Sequence, residues 1–420
     1  MSGNPPERTT DNDPPVRRET LWVIVAAATL TVMAGAILGP IVPQIQSALG
    51  VSDTAAGLII TTHGGVIVLT SPFVGALIDR IGPRQPFIGG LGIYGLGGGA
   101  GLVVDSYLPL LASRVILGIG TAAVYTSVTV LIYQLYAGQA MERALGYRSS
   151  ANSAGAAVWP LLGGAAGTLS WNAPFAVYLV ALPLGLLAAL TIPARATTGS
   201  TTPTKTDYTT ETDTSESTPS LRERLAGTVA VLGRTPALLS VYLLYFTANV
   251  LLYAVVVFYP QFLPAVGIES SFAISLYLAA NGAAGGVSAV AYDRLIQRVN
   301  RRTLVVVAFG LWALGFGAVG RVETAIGAVA PVVLFGAGIG LVFPSAFAWV
   351  EQFAPAAKQG QFSSYLASFG YTGQFLSPVV FGPLVPIVGV VGVFGVGAVV
   401  AALGGIGLGV ATRIQSRSAG

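Results

Sequence analysis

The chain has 420 residues, of which 53% are hydrophobic and only 9% are charged, and its mean hydropathy is +0.74. Soluble domains carry about 25% charged residues, so this composition excludes a water-soluble globule. The net charge of +4 does not indicate nucleic-acid binding, because the basic residues flank apolar stretches. The chain has no cysteine, which excludes disulfides and thiolate metal sites, and no cofactor or metal is predicted.

Twelve apolar stretches follow one another along the chain, each near or above the roughly 20 residues that cross a bilayer as a helix. Within lipid, helices satisfy the hydrogen bonds of so long an apolar backbone. The 54 glycines favour close contacts between these helices. We predict an all-α membrane protein of twelve transmembrane helices. The predicted spans are 21–43, 55–78, 87–104, 108–136, 145–168, 173–193, 237–262, 270–296, 303–320, 324–350, 361–386 and 388–411.

The distribution of basic residues predicts the orientation. An even number of spans places both termini on one side, and when that side is the cytoplasm only Arg114 and Arg321 among the 21 Lys and Arg lie elsewhere, as the positive-inside rule requires. The first stretch is too long for the apolar region of a cleaved signal peptide. We predict a multi-pass plasma-membrane protein with both termini cytoplasmic, functioning as a monomer.

Two polar segments interrupt the apolar pattern and define the domains. The N-terminal tail has too little apolar content to fold, and a stretch rich in Thr, Ser, Asp and Glu separates two groups of six spans. The predicted organisation is a disordered cytoplasmic tail at 1–20, a six-helix bundle at 21–193, a cytoplasmic linker at 194–234, a second bundle at 235–412 and a cytoplasmic tail at 413–420.

Short motifs recur in the same order in both groups of spans, which predicts two pseudo-symmetric six-helix bundles. The offsets between the paired motifs are 214, 220 and 218 residues, so they agree within small insertions. The pairs are Asp79-Arg80 with Asp293-Arg294, Gly118 and Gly120 with Gly338 and Gly340, and Gly155 and Pro160 with Gly373 and Pro378.

Three of these motifs resemble signatures of the major facilitator superfamily. Residues 75–84 read G-A-L-I-D-R-I-G-P-R, similar to the family's loop 2–3 pattern G-x-L-x-D-R-x-G-x-R, and the segment from Arg114 to Gly120 is similar to its fourth-helix motif. The fifth span resembles the helix-bending motif of drug and proton antiporters, with Trp159 where that motif has Gly. Its motif residues are Gly146, Gly155, Pro160, Gly163 and Gly164.

The resemblance covers residues 21–412 and implies alternating access between the two halves. It also implies a cytoplasmic gate, in which the Asp79 carboxylate accepts hydrogen bonds from a helix N-terminus in one state; a permanent topology anchor is the alternative. The predicted gating residues are Gly75, Asp79, Arg80, Gly82, Arg84, Asp293 and Arg294.

Polar residues within the spans predict a coupling and substrate cavity. Arg114 is expected to face this cavity, because a charge inside a span costs about 3 kcal/mol unless it meets water, an anion or a partner; the alternative is that it reaches the outer surface. The predicted cavity residues are His63, Arg114, Gly118, Thr121, Tyr125, Asn152, Trp159, Tyr245, Asn249, Tyr253, Asn281 and Gln374.

His63 is the only histidine, and because histidine titrates nearest neutral pH it is the candidate carrier of a coupling proton; a packing role is the alternative. No acidic residue lies clearly inside a predicted span core. We predict proton-coupled efflux of a hydrophobic or amphiphilic small molecule. An organic-anion or metabolite transporter using Arg114 as counter-charge is the alternative. A polytopic membrane enzyme is disfavoured because one histidine, no cysteine and no acid inside a span leave little for a clustered nucleophile, metal site or carboxylate pair.

Overall fold

The computed structural model describes residues 18–193, 235–355 and 358–417. Over these ranges the chain forms twelve helical segments and no β-strand. The N-terminal six are α1 (Arg18–Ala36, continued as Val42–Leu49), α2 (Asp53–Ile81), α3 (Arg84–Gly99), α4 (Tyr107–Leu135), α5 (Gly138–Gly167) and α6 (Ala173–Val180 as a 3-10 helix, then Ala181–Thr191). The C-terminal six are α7 (Pro236–Phe262), α8 (Ser271–Ile296), α9 (Arg301–Val319), α10 (Val329–Phe353), α11 (Gln359–Phe381) and α12 (Val385–Arg417).

The helices have the length and hydropathy of membrane spans. Nine helical segments of the described ranges are long and apolar enough to cross a bilayer, and the last of them, Gln359–Leu408, contains both α11 and most of α12. The other two helices, α3 and α5, pack within the same bundle. The predicted all-α membrane protein of twelve helices is confirmed.

Local signals set the helix ends. α2 begins after Ser52, whose hydroxyl accepts a hydrogen bond from the backbone N–H of Ala55 at 3.3 Å, an N-cap that satisfies one of the free N–H groups of the first turn. It ends at Gly82, whose φ of 77° is easily reached only by glycine. The α9 helix is capped in the same way by Asn300, which accepts from Thr303 N at 2.8 Å.

The two groups of six helices pack in the same pattern. In the N-terminal group, α1 contacts α4, α5 and α6, α3 contacts α4 and α6, and α2 contacts α4. The C-terminal group repeats every one of these pairings with the helix six positions later. The predicted pseudo-symmetric pair of six-helix bundles is therefore present.

The bundles meet along two seams, in which α2 packs against α11 and α5 packs against α8. The pseudo-symmetry that relates the bundles exchanges one seam with the other. In the first seam a Cβ on Gly57 would lie 2.6 Å from Pro378 Cβ, so the helices approach as closely as glycine allows. In the second seam the Ser271 hydroxyl donates a hydrogen bond to the carbonyl of Gly164 at 2.9 Å.

The seams are closed at only one end of the molecule. Eighteen residues, or five helical turns, separate Gly57 from Gly75, Gly146 from Gly164 and Gly360 from Pro378, so each pair lies on one helix face. Gly57, Gly164 and Pro378 touch the other bundle, whereas a Cβ on Gly75, Gly146 or Gly360 would meet no atom of the described chain within 4 Å.

We name the two ends of the molecule the basic end and the closed end. The basic end carries Arg80, Arg84, Arg143, Arg294 and Arg301, and the closed end lies opposite it. The bundles therefore contact each other at the closed end and separate at the basic end.

Several predicted boundaries fall outside the described ranges or shift. Residues 1–17 of the predicted tail, the predicted linker at 194–234 and residues 418–420 are outside the described residues. Helix α1 already includes Arg18–Thr20, and α12 continues to Arg417, past the predicted end of its span. Helix α5 begins at Gly138 rather than near 145, which places Arg148 well inside a helix.

Candidate functional site

Arg114 is enclosed within the N-terminal bundle, so its predicted position in the cavity is wrong. Its side chain is 0% exposed, and its Nη2 donates hydrogen bonds to the carbonyls of Gly97 and Gly98 at 3.0 and 2.8 Å. The guanidinium also lies 5.0 Å from the ring centroid of Phe175 and 5.1 Å from that of Tyr178.

The physical reason lies at the end of α3. Gly97 and Gly98 are in its last turn, where carbonyls have no intrahelical partner and the helix dipole favours a cation. Arg114 therefore serves as a side-chain cap for α3 and meets neither the cavity nor the outer surface. One nitrogen, Nη1, has no hydrogen-bond partner in the described chain.

The neighbouring residues of the α4 motif also pack within the bundle. Gly118 lies against α2, where a Cβ would come within 2.6 Å of Val66 Cβ and 3.1 Å of His63 Cα. The Thr121 hydroxyl is fully buried and donates to the carbonyl of Leu117 in its own helix at 2.7 Å. Of these two predicted cavity residues, Gly118 allows the close approach of α4 to α2, and Thr121 bonds within its own helix.

His63 lies where α1, α2 and α7 meet. The imidazole is 1% exposed, with Nδ1 2.6 Å from the carbonyl oxygen of Ile60. Gly35 of α1 makes room for it, since a Cβ there would lie 2.9 Å from the imidazole Cε1 and 2.6 Å from the hydroxyl of Tyr253. His63 of one bundle and Tyr253 of the other therefore share the space beside Gly35.

A group of tyrosines from both bundles surrounds this point. The rings of Tyr125 on α4 and Tyr371 on α11 meet edge to face with centroids 5.8 Å apart. The tyrosine cluster is defined as Tyr125, Tyr245, Tyr253 and Tyr371, and the first three side chains lie around that of Tyr371. Tyr245 also packs against Phe343 of α10, with centroids 4.9 Å apart.

Amides extend the cluster toward α2. Gln374 Nε2 donates to Asn249 Oδ1 at 3.2 Å, and Asn249 Nδ2 donates to the Tyr245 carbonyl at 2.8 Å. Gln374 Oε1 is buried without a partner among the described residues, and it lies 3.7 Å from the position of a Cβ on Gly64. An unpaired buried acceptor is costly, so this atom is a ready contact for a ligand hydroxyl or N–H group.

Other predicted cavity residues have structural partners. Asn281 donates to the carbonyl of Val332 at 3.0 Å, and Trp159 donates to that of Thr29 on α1 at 3.1 Å. Asn152 differs, because its Oδ1 is buried and has no partner in the part of the chain described.

The helix-bending motif supplies close helix contacts. Helix α5 runs from Gly138 to Gly167 as one helix through Pro160. Gly163 lies against the backbone of Ile37 in α1, and Gly164 against Ser275 in α8. Gly155 lies beneath the indole of Trp159, whereas Gly146 is open.

The gating motif divides into two parts. Arg84 donates to the carbonyls of Ile192 and Ala189, at 2.9 and 2.7 Å, and so caps the end of α6. Arg84, which was predicted as a gating residue, therefore has a structural role at the end of α6. The remaining charged members, Asp79, Arg80, Asp293 and Arg294, are exposed at the separated basic end and form no ion pair with a described residue.

Two residues of the site were missed by the sequence analysis. Tyr371 sits in an apolar helix with no motif around it, and only the seam with α2 reveals its position. Arg148 was counted among the basic residues on the cytoplasmic side, yet its guanidinium lies 5.5 Å from the Tyr125 ring centroid. Its signal in the sequence is its position inside the predicted span 145–168.

Comparison with known proteins identifies relatives over parts of the chain. The bacillibactin exporter of Bacillus subtilis (strain 168) is 31% identical over 150 residues, which are 34% of this chain and 37% of that protein. The multidrug efflux protein YfmO of the same organism is 28% identical over 170 residues, 40% of this chain and 43% of that protein. Each alignment therefore spans less than half of the relative.

Solved structures match the whole fold. A POT family transporter in complex with 5-aminolevulinic acid has a TM-score of 0.75 at 15% identity, covering 94% of this chain and 97% of that one. A bacterial homolog of the human lysosomal transporter Spinster, inward-facing and occupied, also has a TM-score of 0.75, at 14% identity, covering 96% and 98%. At these identities the likeness shows the fold alone.

A family model decides the assignment. The model described as Major Facilitator Superfamily matches residues 24–378 and, in an overlapping second match, 263–418. Together the matches extend over nearly all of both bundles, and the relatives are named as exporters and efflux proteins, which supports the transporter interpretation over a membrane enzyme. The chain belongs to the Major Facilitator Superfamily.

Proposed function

We propose that the chain is a secondary active transporter that exports hydrophobic or amphiphilic small molecules in exchange for protons, by alternating access between its two bundles. The observation that carries this function is the tyrosine cluster, which lies between the bundles. On its closed-end side the bundles are in contact, and on its basic-end side they are separated. Aromatic rings with a few hydrogen-bonding groups suit amphiphilic ligands.

The direction and the setting belong to the same proposal. The basic end is cytoplasmic by the positive-inside rule, so the described state faces inward in the plasma membrane, with both termini in the cytoplasm and a monomer as the working unit. The exporters among the partial relatives support efflux. The organic-anion alternative with Arg114 as counter-charge loses its basis, because Arg114 caps α3.

Transport in liposomes tests the function directly. Purified protein is reconstituted into liposomes that contain ethidium, a neutral dye or an anionic dye, and a proton gradient directed inward is imposed. We expect release of an amphiphilic dye that depends on the gradient and stops when the gradient is collapsed. Release that ignores the gradient would contradict proton exchange, and no release of any of the three dyes would contradict amphiphile efflux.

His63 is expected to carry the coupling proton. It is the only histidine and lies beside Tyr253 between the bundles, so His63→Gln keeps hydrogen-bonding capacity but removes the imidazole that can accept a proton. Proton flux per dye molecule released should fall about tenfold in His63→Gln, because proton transfer by a positioned side chain contributes at least that much. Thr62→Ser, one residue away, is the matched control and should keep wild-type flux. Unchanged proton flux in His63→Gln would remove this residue from coupling.

Asp79 is expected to latch the basic end in the opposite state. In the described state it is exposed and unpaired, so a latch formed only when the basic ends meet would affect the cycle and not the pocket. Asp79→Asn should therefore slow turnover about tenfold, the effect of losing one charge-assisted contact, with the affinity for the exported dye unchanged. Asp105→Asn at the closed end is the control. A loss of affinity with intact turnover would contradict a latch.

A further inference from the structure

Arg148 is a charged residue placed between the bundles. It follows Gly138, the first residue of α5, by ten residues, which is about 15 Å along the helix. Tyr125 lies ten residues before the end of α4 at Leu135, so the two side chains meet at the same depth. Helices α4 and α5 are about 44 and 45 Å long, longer than a hydrocarbon core of about 30 Å, so this depth lies in the half of the membrane toward the basic end.

The guanidinium of Arg148 is incompletely paired. Its Nη1 donates to the Thr129 hydroxyl at 2.9 Å, and no other hydrogen bond joins it to a residue of the described ranges. Arginine has five N–H donors in a planar fork, and a cation at this depth requires an anion, water or carbonyl groups. Arg114 satisfies that need with the carbonyls of α3, whereas Arg148 keeps free donors.

The surroundings of Arg148 suit an aromatic or aliphatic ligand. Its guanidinium covers the Tyr125 ring, and that ring meets Tyr371 of the other bundle edge to face. One helical turn deeper on the same face of α5 lies Asn152, whose Oδ1 is buried and unpaired among the described residues. A cation, two rings and an acceptor thus follow one another from the basic end inward.

No negative charge of the described chain balances Arg148 at this depth. The acidic residues of the described ranges lie near helix ends or in loops: Glu19, Asp53, Asp79, Asp105, Glu142, Glu269, Asp293, Glu323 and Glu351. At the pseudo-symmetric position, 218 residues later, α11 carries Leu366, which is fully buried. The site therefore has a net positive charge that comes from one bundle alone.

We propose that Arg148 is the counter-charge for the transported molecule, and that the substrates are amphiphilic organic anions. The carboxylate pairs with the free N–H groups of Arg148, and the apolar body packs against Tyr125 and Tyr371. This assignment rests on the proposed transport function and names its substrate class. It moves the anion site from Arg114 to the basic-end half of α5.

The test compares three probes of one shape on the purified full chain in nanodiscs. Calorimetry measures the binding of naphthoate, naphthamide and naphthylmethylammonium. Wild-type protein is expected to bind naphthoate about tenfold more tightly than naphthamide, the effect of one charge-assisted hydrogen bond, and to bind the ammonium probe least. Arg148→Gln should abolish this preference by weakening naphthoate alone, and Arg148→Lys should keep part of it.

Arg143→Gln is the matched control, because Arg143 lies on the same helix, exposed at the basic end, and should leave the preference intact. If Arg148→Gln fails to fold, the comparison of the three probes on the wild-type protein still tests the preference for an anion. Equal or tighter binding of the ammonium probe overturns the anion site. If a dye of any charge is exported in that case, the transport function stands and only the substrate class fails; if no dye is exported, both fail.

Discussion

Arg114→Gln is expected to lower the stability of the folded protein by about 4 kcal/mol. The substitution removes two hydrogen bonds from a cation to the carbonyls of Gly97 and Gly98, each worth about 1.5–3 kcal/mol. It also removes the buried contacts with Phe175 and Tyr178, worth up to about 2 kcal/mol. Thermal unfolding of the purified protein should show a midpoint lower by on the order of 10 °C.

Arg148→Gln is the comparison, because it removes the same charge from a side chain with a single hydrogen bond to the described chain. Its unfolding midpoint should stay within a few degrees of the wild type, since an isolated partly exposed bond contributes about 1 kcal/mol. The opposite pattern, a stable Arg114→Gln that fails to transport, would return Arg114 to the transport mechanism and contradict its role as a helix cap.

Gly164→Val is expected to open the closed end. A Cβ at Gly164 would lie 2.6 Å from both the carbonyl of Ser271 and the hydroxyl of Ser275, and both atoms belong to the other bundle. Overpacking costs about 1–3 kcal/mol and acts only on the state in which this seam is formed. The equilibrium should therefore shift about tenfold or more toward the state in which the seam is separated, and transport should fall with it.

Cysteine accessibility measures this shift without background, because the chain has no cysteine. Labelling of Thr54→Cys beside the closed seam should accelerate about tenfold in Gly164→Val, while labelling of Ser149→Cys at the basic end should slow. Gly146→Val is the matched control, on the same face of α5 but in open space, and should leave the closed end unlabelled. Faster labelling at both positions would instead indicate loss of folding.

Hydropathy predicts the fold because bilayer thickness selects helices of a given length whatever their contacts. All twelve predicted spans correspond to helices, and the repeated motifs correctly predict two matching bundles. Gly57 and Gly164 illustrate the limit of such reasoning, since among so many glycines only the seams distinguish those that touch the other bundle from those that face open space.

The two intramembrane arginines show why the site was harder to predict. Both are charged residues in apolar helices, so the sequence pattern alone predicts the same for both: burial of the charge costs free energy and requires a compensating partner. What separates them is three-dimensional: Arg114 reaches the carbonyl end of α3, while Arg148 reaches a tyrosine ring and one hydroxyl. Arg148 lies near the start of the predicted span 145–168, where a basic residue is also explained by the positive-inside rule.

The contact of Arg84 with α6 has a mechanical meaning for the whole chain. Ala189 and Ile192 lie at the end of the N-terminal bundle, and their carbonyls accept hydrogen bonds from Arg84, the first residue of α3. The start of α3 and the end of α6 are therefore linked at the basic end. A displacement of either helix end would be passed to the other through this side chain.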